Sequence, residues 1–540
     1  MARKTTKLTN KPVDAYKGVT DLNHAGFPTF YHDLEDRCLQ VLMTGVFENT
    51  FYATAEKLQD EALALFEQMA KKDAELFAKM IIFARNQGLL RIVPVTALVV
   101  LSKNDPAMFA RAFPAVIRTP NDLKDFVTLS RRGGIRGGLG RGVKRAVNGW
   151  LGGISEYHAI KYGSKGSDIS LRDILRITHP KPGALKQDAL FNYLVNGLTE
   201  GNVEAVKSNL PQVWAFEELK DASTAEAQRA CIKAGRLPYE VVVGAVKPDV
   251  AMWVELMKQM PIFALLRHLN TLQKNGVFND EANVQYVVDK FTNPELIAKS
   301  KILPFRFFTA YHMLAAELPR RIHTALETAL ELSFQNMPPL PGKVCVGSDV
   351  SGSMSWHTIS PKSKTKPIDI CAIFSAACLK RSEDAVILPF ENNVRTDVKF
   401  SPNDTLMTTA NRLAQIGGGG TNVGAPIEYL LSRNISVDIY IGITDSEDWA
   451  GRGFVNYWRE YRKKVNPNAK AFLLTIMPYN HMVAKKDEPG VYFISGWSDN
   501  VLPYIQSMAE GSQSQMAAVR EVKLATHETT VLADESSDEG

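Results

Sequence analysis

Gly347-Ser348-Asp349-Val350-Ser351-Gly352-Ser353-Met354-Ser355 follows the apolar run Val344-Cys345-Val346, and an apolar-periodic segment opens soon afterwards at Ile368. Strand, polar loop and helix in that order form the βα unit of an open α/β sheet, whose ligand sites lie at the carboxyl ends of strands. The carboxylate of Asp349 and the hydroxyls of Ser351, Ser353 and Ser355 are hard oxygen donors of the sort Mg²⁺ accepts. The plain structural alternative is a Ser/Gly turn closed by an Asx-type bond.

Downstream, strand and helix signals alternate. Strands are expected at Val344–Gly347, Ala385–Phe390, Val437–Ile443, Ala471–Met477 and Val491–Ser495. Helices are expected at Ile368–Lys380, Thr405–Ile416, Pro426–Ser432 and Phe454–Lys463. Such alternation argues for a parallel sheet flanked by helices. Two segments bear on the Asp349 loop: the run Gly417-Gly418-Gly419-Gly420-Thr421-Asn422, and the strand end Ile443-Thr444-Asp445. Asp349, Ser351 and Ser353, a Thr after a glycine run and an Asp at a strand end resemble the metal-ion-dependent adhesion site of von Willebrand factor A domains. That resemblance implies a divalent cation, Mg²⁺ by preference. Ser351, Ser353 and Thr421 would be direct ligands, Asp349 and Asp445 would stand behind them through water, and a partner's carboxylate often completes the shell.

A chain of 540 residues exceeds the usual single-core limit of about 250–300, so at least two domains are expected. A hydrophobic fraction of 45% and mean hydropathy of −0.13 describe a soluble chain with ample core. No stretch approaches the ~20 consecutive apolar residues of a membrane span, and the basic start lacks the apolar run of a signal peptide. Cys38, Cys231, Cys345, Cys371 and Cys378 lie in apolar contexts without a CxxC pattern, so reduced thiols in a cytoplasmic protein are expected.

Residues 1–26 are polar and read as a flexible arm. From Asp33 helical periodicity takes over, with runs at Ala53–Gln68, Asp73–Asn86, Val95–Leu101 opened by Pro94, Pro106–Val116, Leu123–Leu129, Ala184–Leu198, Thr224–Lys233, Asp249–Met260 and Arg320–Phe334. Stacked helix pairs would bury a continuous core without one of unusual size, although no fixed-period repeat is visible. Met337-Pro338-Pro339-Leu340-Pro341-Gly342 reads as a stiff linker into the sheet region. From Gly511 the chain is small-residue-rich and ends acidic, as a disordered solubilising tail would.

The net charge of +5 is modest, and its location matters more than its size. Between Ser130 and Lys181, eleven Lys and Arg face only Glu156, Asp168 and Asp173, and six glycines lie among Arg132, Arg136, Arg141 and Lys144. Glycines admit a ligand close to backbone, and guanidinium forks match phosphate oxygens. A P-loop is excluded because Val143 intervenes between Gly142 and Lys144. A polyanion surface and a merely solvated basic face both remain open. In Leu171-Arg172-Asp173-Ile174-Leu175-Arg176-Ile177-Thr178-His179-Pro180-Lys181-Pro182, a helix would place Arg172, Arg176 and His179 on one face. A helix cap is the structural alternative for His179.

That segment, with Lys161-Tyr162 before it, Phe47-Glu48-Asn49-Thr50-Phe51-Tyr52-Ala53 near the start and Leu237-Pro238-Tyr239-Glu240 later, resembles the TROVE module of the Ro autoantigen family. A TROVE module followed by an A domain, with the acidic-aromatic stretch Asp445–Gly451, is similar to the architecture of those proteins and closest in look to bacterial members. The resemblance implies a multidomain protein. An arm (1–26) would be followed by a mainly α, HEAT-like helical-repeat ring (27–341), a doubly wound, Rossmann-like α/β A domain (342–510) and an acidic tail (511–540). It also implies small noncoding Y-like RNA on a basic outer face and single-stranded 3′ ends of misfolded RNA in the ring's hole. An exoribonuclease is an associated partner in bacteria, within noncoding-RNA quality control and stress responses, and the protein is expected as a monomer in a ribonucleoprotein. Lys161, Arg172 and His179 match the outer-surface motif. Arg176 joins them by spacing, and Arg132, Arg136, Arg141 and Lys144 by composition.

Neither RNA contact requires bond-breaking residues, and no HExxH, GxSxG or Ser/His/Asp constellation is present, so no enzyme is expected. The alternative is a Mg²⁺-dependent, adhesion-type protein-binding module whose helical half is structural. A third reading is an assembly subunit of a chelatase- or ATPase-type machine, with the motor on another chain.

Overall fold

The computed structural model describes residues 33–44, 55–88, 90–131, 135–163, 169–181, 183–356, 358, 365–445, 452–476, 481–484, 488–495, 501–510 and 515–525, with strand segments 21–22 and 28–31. The chain divides into two compact units, one of residues 1–65 and 337–519, the other of residues 66–336 and 520–540.

The first unit is built on five parallel strands, β1 (Leu340–Asp349), β2 (Ser382–Phe390), β3 (Ile439–Thr444), β4 (Lys470–Thr475) and β5 (Val491–Ser495). Their order is β2-β1-β3-β4-β5, so the chain reverses its direction of travel across the sheet between β1 and β3. Register pairs Val346 with Ile441 and Gly347 with Gly442. Helices α1 (Pro367–Arg381), α2 (Leu406–Gln415), α3 (Ala425–Ser432), α4 (Phe454–Lys464) and α5 (Val501–Glu510) complete the α/β unit. Strand β1 begins at Leu340, within the proline-rich segment expected to be linker, and a bulge between Leu340 and Lys343 absorbs Pro341 and Gly342. Tyr440, Phe454, Trp458 and Tyr461 stack in series at 6.1, 6.0 and 5.9 Å between ring centroids. Gly347 is required there, because a Cβ would lie 2.3 Å from the Tyr440 hydroxyl.

Helix Leu34–Thr44 packs on β5, so this stretch belongs with the sheet although its periodicity reads like the helices that follow it. Backbone pairing also joins Asp21–Leu22, Pro28–Tyr31 and His481–Met482 into a small antiparallel sheet.

The second unit is a succession of short helices. Asp73, Asp105, Thr224, Asp249 and Asn293 each accept a backbone N–H at a helix start, and Pro106, Pro211, Pro294 and Pro304 open helices where no N–H is needed. Pro94 falls in the first turn of Ile92–Asn104, which starts three residues earlier than expected. Main helix contacts join near neighbours in chain order, and a longer-range one joins Glu156–Gly163 to Tyr239–Ala245. Near-neighbour packing of this kind is the stacking logic of a helical solenoid. Residues Gln515–Arg520 form a helix inside the expected tail, with Met516 and Val519 buried. Residues 526–540 lie outside the described residues, as do 1–20 and the motif Phe47–Ala53.

Candidate metal centre and nucleic-acid interface

Asp349 ends β1 at the point where the sheet reverses, the expected place for a ligand in such folds. It is fully buried; its Oδ1 accepts from the Ser351 amide at 2.9 Å and its Oδ2 from the Thr444 hydroxyl at 2.7 Å. Burial pushes the carboxyl above its usual range, against the pull of the Ser351 and Thr444 hydrogen bonds. Ser351 and Ser353 place their hydroxyls 3.2 Å apart. The glycine run closes on this loop through backbone: Gly418 donates to the Val350 carbonyl at 3.2 Å, and Gly352 donates to the Gly419 carbonyl at 3.1 Å. A Cβ on Gly417, whose φ is +151°, would meet the Val350 carbonyl at 2.8 Å, so glycine is what lets the two loops touch. Thr421 follows, 3% exposed, and Asp445 follows Thr444 at the end of β3, 1% exposed. The glycine run thus sets the loop leading to Thr421 against the Asp349 loop, and the pairing of β1 with β3 runs to Ser348 and Ile443, one residue before Asp349 and two before Asp445.

The donor set suits a hard cation. It consists of the buried carboxylates of Asp349 and Asp445 and the buried hydroxyls of Ser351, Ser353 and Thr421; among the described residues no three His, Cys, Asp or Glu side chains gather into a metal-holding group. Neither hydrogen-bond partner of Asp349 is a cationic side chain. Ser351, Ser353 and Thr421 could hold Mg²⁺, with Asp349 and Asp445 supplying negative charge behind them.

In the helical unit, Ser170 and Asp173 form a reciprocal capping box that starts helix Leu171–Thr178. Leu171, Ile174, Leu175 and Thr178 are buried while Arg172, Arg176 and His179 are exposed, as the spacing predicts. His179 ends the helix in the left-handed conformation, φ 49°. Helix Arg141–Gly152, two helices earlier in the chain, lays Lys144 Nζ on the Ile177 carbonyl at 2.9 Å and Asn148 Nδ2 on the Thr178 carbonyl at 3.1 Å. These bonds satisfy the helix's free C-terminal carbonyls and fix the backbone that carries His179. Arg141 and Arg145 are exposed on the same helix.

The remaining sequence-selected cations are deployed differently. Arg136 is half-buried, donating Nε to the Ser102 hydroxyl at 3.0 Å and Nη1 to the Gly138 carbonyl at 2.8 Å, and burial lowers its pKa. It is a brace for the glycine loop, and Lys144 is a helix-end clamp. Arg132 lies outside the described residues. Lys161 Nζ lies 5.2 and 5.5 Å from the ring centroids of Tyr157 and Tyr162 and 4.0 Å from the Glu240 carboxylate. Burial lowers its pKa, but Tyr157, Tyr162 and Glu240 outweigh that and the net shift is upward, so the ammonium stays charged. The contact joins two motifs 79 positions apart, Lys161-Tyr162 and Tyr239-Glu240, whose proximity local periodicity cannot show.

Residues 343–509 match the model of the Ro60 vWA domain, and residues 239–319 match the TROVE domain. The chain is 28% identical over 456 residues to the RNA-binding protein RO60 of Deinococcus radiodurans, covering 80% of this chain and 84% of that one. It is 24% identical over 460 residues to the RNA-binding protein RO60 of Caenorhabditis elegans, covering 73% and 70%. The crystal structure of the Deinococcus radiodurans RO (RSR) protein superposes with a TM-score of 0.67 at 25% identity, spanning 88% of this chain and 99% of that one.

The chain is similar to Ro proteins over most of its length. The A-domain match encloses all five candidate metal ligands. The TROVE match begins at Tyr239, beside the Glu240 that meets Lys161, and leaves Arg172, Arg176 and His179 upstream of it.

Proposed function

We propose that this protein is a member of the Ro family and binds RNA without transforming it. The observation that carries the reading is the exposed pair Arg172 and Arg176 on one face of helix Leu171–Thr178, with exposed His179 at its left-handed C-cap and the helix end clamped by Lys144 and Asn148. Arg172 is steadied by its Nε, which donates to the Leu194 carbonyl at 3.2 Å. A clamped cationic face suits phosphate and 2′-hydroxyl contacts, with little demand on sequence. That two relatives bear the name RNA-binding protein supports it. In its finer form the proposal has a small, structured Y-like RNA on this face and single-stranded 3′ ends of misfolded RNA as second ligands. A cytoplasmic monomer in a ribonucleoprotein would work beside an exoribonuclease in noncoding-RNA quality control. Mg²⁺ in the A domain would offer an open coordination position to a partner's carboxylate.

The test is purification of the tagged protein from its native cells and sequencing of the RNA that accompanies it. Enrichment of one small structured RNA is expected, and the double change Arg172→Ala with His179→Ala should weaken its binding several-fold with an unchanged circular-dichroism spectrum. Undiminished affinity in the variant would refute the face assigned here.

The second reading, a Mg²⁺-dependent protein-binding module, is favoured by the gathering of Asp349, Ser351, Ser353, Thr421 and Asp445 at the strand ends. It requires that Asp349→Ala abolish capture of a protein partner and that no RNA exceed background in the same eluate.

A further inference from the structure

The loop that follows β2 is built against the glycine run, and one atom in that contact is left over. Phe390, the last residue of β2, accepts from the Val350 amide at 2.9 Å. Beyond it the Glu391 carbonyl accepts from the Asn422 amide at 2.8 Å, and the Asn392 carbonyl accepts from Asn422 Nδ2 at 3.1 Å. The Asn422 carbonyl in turn accepts from the Ala425 amide at 3.0 Å, in the turn that leads into α3. Glycine is the residue that fits at 419, since a Cβ there would run into the Glu391 carboxylate. Asn422, the residue after Thr421, is thereby held between the two loops by both its backbone and its side chain.

Three of the four polar atoms of Asn422 are satisfied by these bonds. The fourth, Oδ1, is buried and has no hydrogen-bond partner among the described residues, and Asn422 as a whole is 4% exposed. Turning the amide over would not help, because it would set two oxygens 3.1 Å apart at Asn392. Arg395, the cation of the neighbouring loop, is committed to the carboxylates of Glu391 and Asp397 at 3.3 and 2.9 Å. A buried acceptor without a donor costs about 1–3 kcal/mol, so this one calls for a bound group that donates. Hydrated Mg²⁺ supplies such groups, because the ion keeps several of its waters and polarises their O–H bonds. Thr421, assigned above to the ion, is the adjacent residue, about 3.8 Å away at Cα.

We propose that Asn422 is a positioning residue of the metal centre: its Oδ1 accepts a hydrogen bond from a water on the divalent cation that Thr421 helps to hold, while its Nδ2 ties that loop to Asn392. This role rests on the metal reading above and deepens it. Partners that stand behind the direct ligands in this way are worth about 10- to 100-fold in metal affinity.

Two substitutions separate the acceptor from the tie. Asn422→Ala removes both, whereas Asn422→Asp loses the donor to Asn392 but keeps an acceptor and adds negative charge. MgCl₂ is titrated calorimetrically into the full-length parent and both variants, and melting temperatures in EDTA report the metal-free fold. Asn422→Ala should weaken Mg²⁺ binding about tenfold or more. Asn422→Asp should bind Mg²⁺ at least as tightly as the parent, although both variants melt below the parent in EDTA. Equal weakening in the two variants makes the tie to Asn392 the whole role of Asn422, and overturns the proposal while the metal reading stands. Parent-like Mg²⁺ affinity in Asn422→Ala does the same. A parent that binds no Mg²⁺ overturns the metal reading and this role with it.

Discussion

Asp349→Asn separates the metal function of its site from its structural one. The amide is isosteric, and it can keep both hydrogen bonds: its oxygen accepts from the Ser351 amide, and its nitrogen donates to Thr444 once that hydroxyl rotates. Burial already disfavours the Asp349 charge, so a neutral side chain costs the metal-free protein nothing in desolvation and relieves part of it. Without metal, the variant's melting temperature should therefore equal or exceed the parent's. With metal the order reverses. For a site with a dissociation constant of about 0.1 mM, 10 mM Mg²⁺ stabilises the folded parent by about 2.7 kcal/mol. For a unit of this size each kcal/mol moves the midpoint by about 2–4 °C, giving a rise of roughly 5–10 °C. Thermal scans in EDTA and in 10 mM MgCl₂, with hydrogen exchange of the β3 amides locating the effect, should show the rise in the parent and none in the variant. An equal Mg²⁺-induced rise in both, or none in the parent, refutes the ligand set.

Three further outcomes follow from the geometry. Gly417→Ala should cost about 1–3 kcal/mol and weaken the Mg²⁺ response, since the Cβ meets the Val350 carbonyl at 2.8 Å at a φ that disfavours alanine; an unaltered Mg²⁺ midpoint would count against the loop contact. Glu156→Ala should lower stability by about 2–3 kcal/mol in denaturant or hydrogen-exchange measurements. Its buried carboxylate accepts from the Gln212 and Val213 amides at 2.9 and 3.4 Å, and both would be left unsatisfied, whereas Glu156→Gln keeps an acceptor and should cost less. The hydrogen bonds from Ser170 hold the Asp173 carboxyl below its usual range, so the capping box stabilises fully above the unfolded pKa of about 3.9 and loses that contribution as pH falls through the lower folded value. Amide protection at the start of this helix should accordingly drop by about 1 kcal/mol in Ser170→Ala near pH 7, and the gap should close in strong acid.

Much of the architecture was legible in order along the chain. The alternation after residue 340 dictated a parallel sheet, and strand Val491–Ser495 lies where its apolar run placed it. The runs beginning at Pro106 and Asp249 placed helix starts to within a residue, and the structure shows Asp105 and Asp249 capping them. The exposed pair Arg172 and Arg176 was also readable, because a helix's periodicity is a local property, whereas His179 took the capping role that the sequence left as its alternative.

What the sequence by itself determined were the local periods and the chemical kinds available: an oxygen-rich loop at a strand end, and a surplus of guanidinium and ammonium groups in one stretch. Only the tertiary structure decided how those groups are spent. It brought Thr421 and Asp445 to Asp349 through glycine backbone contacts and strand register, and it set Glu240 against Lys161. It also turned Arg136 and Lys144 inward to the Gly138 and Ile177 carbonyls and laid Leu34–Thr44 on β5. The physical reason is that a cation serves phosphate or a backbone carbonyl equally well. The choice falls to whichever unsatisfied acceptor folding leaves within hydrogen-bond reach, and that distance is fixed by elements far away in the chain.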